Sequence, residues 1–169
     1  MQGKLQRKYR VAQELGRNGF FSGHLKLSQM PRLGSLVIAN DVQIRVTFEF
    51  LSSTIQPATI RGHIDAELSV VCQRCLEPMI HSVNQDFALL IDASEEDVES
   101  FQMDTVYTDE GYLDVYEVVE DELILTLPMI MMHEDKFCNE YWEPDVIEDE
   151  QAPADNNPFA ALSALKGKG

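Results

Sequence analysis

The alternation of apolar and polar side chains between residues 42 and 91 constrains the fold of this chain more than any other feature. Val42, Ile44, Val46, Phe48 and Phe50 alternate with Gln43, Arg45, Thr47 and Glu49, the period-two pattern of a strand with one buried face. Ile60, Ile64, Ala66, Leu68 and Val70 repeat it, with Asp65, Glu67 and Ser69 facing outward. A third run places Val83, Phe87, Leu89 and Ile91 on one face. Turn formers separate the runs, from Ser52 to Pro57 and from Cys72 to Pro78. Strands near 42–51, 58–72 and 79–91 joined by short links predict an antiparallel meander, and its single apolar face needs a cover.

A helix supplies that cover. Asp114, with Glu117 three residues on, has capping-box spacing, and Val115, Val119, Leu123 and Leu127 then recur every fourth residue. Glu120 and Asp121 fall elsewhere on the helix, and Pro128 ends it. The prediction is an α+β fold, a β-meander covered by a helix over 114–127, with a tethered C-terminal segment.

A chain of 169 residues suits one ordinary domain. We expect a single domain over 1–142, with a basic N-terminal region (1–34), a sheet (42–91), an acidic loop (92–111) and the helix. Residues 143–169 would form an acidic linker and a short apolar, basic end. In that end Phe159, Leu162 and Leu165 have helical spacing, as fits either a docking peptide or a tail that folds back.

Charge is divided unevenly along the chain. Residues 1–34 hold seven bases and one acid, residues 92–122 thirteen acids and no base, and the net charge is −16. Most of such a surface repels nucleic acid, so RNA contact is expected only near the ends, at Arg7, Lys8, Arg10, Arg17 and Arg32. Tyr9, Phe20 and Phe21 accompany these bases and suit either base stacking or core packing. The acidic flank could instead meet a basic protein. No apolar run approaches a membrane span, and the N-terminus lacks the apolar stretch of a signal peptide, so a cytoplasmic protein is expected.

The sequence has no phosphate-cradling glycine loop, no G-x-S-x-G and no H-E-x-x-H, and its four histidines lie in separate segments. Catalysis and a small-molecule substrate are therefore not expected. Metal binding has better support. Cys72 and Cys75 form a C-x-x-C at a strand turn, and His133 and Cys138 follow the helix, which together make a Cys3His zinc set. Three reduced cysteines and a surface histidine are the simpler alternative. A thiol redox role fits less well, because the C-x-x-C lies in a hairpin and not at a helix N-terminus.

Cys72-Gln73-Arg74-Cys75-Leu76-Glu77-Pro78, then Val119-Glu120-Asp121-Glu122-Leu123 through Pro128, then His133 and Cys138, and finally Asn157-Pro158-Phe159-Ala160-Ala161-Leu162 form an ordered set that resembles the YceD family of bacterial large ribosomal RNA subunit accumulation proteins. The resemblance implies a non-enzymatic role in the synthesis, processing or stability of 23S ribosomal RNA. It brings no catalytic residues. The partner would be a large-subunit rRNA precursor or a basic ribosomal or assembly protein. The alternative is an acidic adaptor or chaperone outside ribosome assembly.

Overall fold

The structure, a computed structural model, describes residues 5–38, 42–52, 57–135 and 137–139. The chain divides into two units, Met1–Cys138 and Asn139–Gly169. The predicted linker and C-terminal segment lie outside the described residues.

A five-stranded sheet in the order β2-β3-β4-β5-β6 forms the frame. It comprises β2 (Phe20–Lys26), β3 (Gln43–Leu51), β4 (Thr59–Val71), β5 (Pro78–Ile91) and β6 (Thr105–Val106). The first four pair antiparallel, and β6 joins β5 in parallel. Strand β1 (Lys8–Arg10) leads into helix α1 (Val11–Gly16) and pairs antiparallel with β7 (Tyr112–Asp114). The short α2 (Pro31–Gly34) follows β2, α3 (Glu95–Phe101) lies between β5 and β6, and α4 (Val115–Thr126) follows β7.

The predicted meander is present as β3, β4 and β5. Ile44, Val46, Phe48 and Phe50 are buried, as are Ile60, Ile64, Ala66, Leu68 and Val70 of β4. Gly62 sits in the same inward row and pairs with Phe87. A Cβ there would lie 2.4 Å from the Thr47 carbonyl oxygen and 2.6 Å from the Phe87 ring. The missing side chain is what lets that ring lie against the strand. Val115, Val118, Val119 and Leu123 of α4 join the same core, and the helix packs against α2 and β5. Asp114 caps it, accepting the N–H groups of Tyr116 and Glu117 at 3.0 and 3.3 Å. No helix among the described residues is long and apolar enough to cross a membrane.

Three features depart from the expectation. Strand β2 arises within the basic N-terminal region and extends the meander at its edge. The expected loop 92–111 instead contains α3, whose Ser94 hydroxyl accepts from the Asp97 N–H while the Asp97 carboxylate accepts from the Ser94 N–H. The same stretch returns to the sheet as β6, where the Leu90 N–H donates to the Asp104 carbonyl. Leu90 is consequently fully buried although it faces away from the main core.

Glu120 and Glu122 are also buried, despite being acids on an amphipathic helix. Burial raises the carboxyl of Glu122 above its ordinary value, and Asp104 and Asp121 push it the same way. An acid held high in the folded state contributes stability below its unfolded pKa and loses it as pH rises through the folded value. Glu122→Gln is therefore expected to raise the melting temperature at pH 7, by an amount that shrinks towards pH 4. Equal shifts at both pH values in thermal melts would contradict this.

Candidate metal centre

Strand β4 ends in the turn that carries Cys72 and Cys75. The Cys72 N–H donates to the Glu77 carbonyl and the Leu76 N–H to the Cys72 carbonyl, each at 2.9 Å. Leu76 takes a left-handed backbone, φ 64°, which a non-glycine residue adopts at some cost and which tightens the loop around both sulfurs. The segment after α4 is fastened to this knuckle. The Gln73 N–H donates to the Met131 carbonyl at 2.7 Å, and the Arg74 guanidinium donates to the Asp135 carbonyl at 2.8 Å. These two bonds bring in His133 and Cys138.

The donor atoms of Cys72, Cys75, His133 and Cys138 all lie within 4.8 Å of one another. The Cys72 and Cys138 sulfurs are 3.9 Å apart, and the Cys75 sulfur is 3.3 Å from Nδ1 of His133. A tetrahedral zinc ion with sulfur at about 2.3 Å requires donors roughly 3.8 Å apart, a spacing that the two sulfurs of Cys72 and Cys138 already have and that the four donors, all within 4.8 Å, can reach by small shifts. No cysteine is in a disulfide. Burial pushes the thiol of Cys72 up, but hydrogen bonds from the backbone of Cys75, His133 and Arg74 and from the Cys75 side chain outweigh that effect and lower it to about 5. Burial and the neighbouring Cys75 and Cys72 raise the thiol of Cys138. Cys72 is thus a ready thiolate at neutral pH, and a metal would displace the proton of Cys138. Exposed apolar side chains, among them Leu76, Ile80, Met129, Ile130 and Phe137, belong to the same knuckle and segments.

The five bases expected to meet RNA fall into two groups. Arg7 and Arg32 border one cleft with Glu117, Glu120 and Asp121. Arg7 bonds Asp114 at 2.7 Å, and Arg32 bonds Glu120 at 3.0 Å and also Asp121. Lys8, Arg10 and Arg17 line a different cleft with Phe20, Phe21 and Tyr112. There Lys8 pairs with Asp109 at 3.1 Å and Arg17 with Glu14 at 2.7 Å. Arg10 has no carboxylate partner among the described residues. Each of the four paired bases remains at least half exposed. Of the aromatics, Tyr9 is buried against Phe21, Phe48 and Phe50, whereas Phe20 is 66% exposed.

Sequence reasoning missed Glu120. Its carboxylate accepts the backbone N–H groups of Arg32 and Leu33 at 2.7 and 3.0 Å, and so caps α2 from a neighbouring helix. Nothing in the local sequence distinguishes this acid from a solvated one.

Comparison with known proteins supports the family resemblance. The sequence model described as large ribosomal RNA subunit accumulation protein YceD matches residues 60–166. A relative from Haemophilus influenzae that carries the same description is 28% identical over 153 residues, 88% of each chain. No solved structure matches the chain.

Proposed function

The chain belongs to the YceD family, and from that premise we propose that it sustains the accumulation of 23S ribosomal RNA as a non-enzymatic binding protein. The match of residues 60–166 to a family described as large ribosomal RNA subunit accumulation proteins carries this reading. Within that role Cys72, Cys75, His133 and Cys138 hold a zinc ion. Four protein donors complete a tetrahedral sphere and leave no open position for water or substrate, which is the arrangement of a structural site. The metal would supply a crosslink that joins the β4–β5 turn to the segment after α4. The protein works in the cytoplasm, where thiols stay reduced.

The exposed apolar side chains of the knuckle support a second reading, an adaptor that docks a protein outside ribosome assembly. The two readings separate in cells that lack the chain. The first expects the ratio of 23S to 16S rRNA to fall and to recover when the intact gene is restored. An unchanged ratio would sink it and favour the adaptor.

A further inference from the structure

Resting on the reading that the chain supports 23S rRNA by binding, we propose that the cleft between β1, α1 and β2 is a nucleotide site for single-stranded RNA. Phe20 stacks a base, and Lys8, Arg10 and Arg17 hold the flanking phosphates.

The charge of this cleft sets it apart. Its lining carries Lys8, Arg10 and Arg17, of which Arg17 pairs with Glu14 and Lys8 with Asp109, so that among the described residues one base is left in excess, on a protein of net charge −16. The cleft at Arg7 and Arg32 has three acids for its two bases. The one on the sheet near His63 sets two acids, Glu49 and Asp86, against Arg61, and the one beside Ile80 holds Glu134 with two histidines. At physiological salt the screening length is about 8 Å, so a local excess of base attracts an anion despite the total.

The geometry suits a nucleotide. The cleft encloses about 550 Å³, within the range of about 300–1,000 Å³ of small-ligand sites. Its floor is rigid, because Tyr9 and Phe21 lie 4.5 Å apart and both pack on Phe48 and Phe50. At the rim Phe20 is 66% and Tyr112 41% exposed, and an exposed ring face beside bases is how proteins hold single strands. Arg17 is fixed by two bonds from Nε and Nη2 to Glu14 at 2.7 and 2.9 Å. Its Nη1 therefore keeps donors for a phosphate. Double-helical RNA buries its bases and offers no face to Phe20.

Binding of fluorescein-labelled oligouridine to the full chain at several salt concentrations tests this. Phe20→Ala should weaken binding about tenfold, while Phe20→Trp keeps it. Arg10→Ala should weaken binding and reduce the salt slope by about 0.7, the contribution of one phosphate on a single strand. Arg45→Ala, which removes an exposed base of β3 outside the cleft, should change neither. Both target side chains are exposed, so the melting temperature should stay at the wild-type value. Wild-type affinity in Phe20→Ala and Arg10→Ala would overturn the proposal. So would binding of polyglutamate in place of oligouridine, which would mark the cleft as a protein site. In cells lacking the chain, the double variant should fail to restore 23S rRNA. Full restoration by it refutes the cleft and leaves the family-level reading intact, whereas a deletion that leaves 23S rRNA unchanged refutes that reading itself.

Discussion

Glu120→Ala is expected to destabilise the protein by about 3 kcal/mol. The carboxylate accepts four bonds, two from the backbone N–H groups of Arg32 and Leu33 and two from the Arg32 guanidinium. Removing it leaves buried donors without an acceptor, at about 1–3 kcal/mol for each. The pair with Arg32 adds less, because that guanidinium is 53% exposed and screened by water. Arg32→Ala should therefore cost only about 1 kcal/mol, and Glu120→Gln, which keeps one acceptor oxygen, should fall between. For a chain of this size about 3 kcal/mol lowers the melting temperature by roughly 10 °C. Denaturant titration of the three variants checks the ranking, and a Glu120→Ala variant within about 0.5 kcal/mol of wild type, the usual range for surface substitutions, would refute the capping role.

If the proposed zinc is bound, its removal is expected to have a comparable effect by another route. A ligand at about a thousand times its dissociation constant stabilises the folded state by about 4 kcal/mol, so chelation should lower the melting temperature by roughly 10 °C. Cys72→Ala should do the same, and added chelator should then have no further effect. Cys72 is buried yet lies outside the main core cluster. The loss should therefore open residues 72–77 and 128–138 to hydrogen exchange while β3 and the centre of β4 stay protected. If chelation lowered protection uniformly across the sheet, the knuckle would not be a local clasp.

The parts of this structure that could be read in the sequence are those in which one physical constraint repeats. Strands β3 and β4 bury every second side chain over most of their length, β5 turns Val83, Phe87 and Ile91 to the same core, and α4 buries one stripe, so each writes its period into the residues. Strand β2 does not, because Gly23 breaks its inward row between Phe21 and Leu25 while Phe20 stands on the outward face. Helix α3 buries no residue at all, so its only signal was the Ser94-x-x-Asp97 spacing of a capping box. The pairing of β1 with β7 joins three residues to three others about a hundred positions away, a match with no local trace. The Cys3His cluster was legible for a different reason, since a site able to hold zinc needs particular residue types at short spacing. Glu120 was not, because its role depends on a helix brought to it only by folding.

The claim that joins site, stability and family is that Cys72, Cys75, His133 and Cys138 hold one zinc ion, and its most direct test is the metal content of the purified protein. Protein prepared without chelator should carry about one zinc per chain by mass spectrometry, with no other metal near that amount. The Cys72→Ala and His133→Ala variants should carry much less. Cobalt substituted for zinc should give the intense visible bands of a tetrahedral thiolate site. Wild-type protein that takes up neither zinc nor cobalt while folded and reduced would contradict the assignment and leave three free thiols at the knuckle.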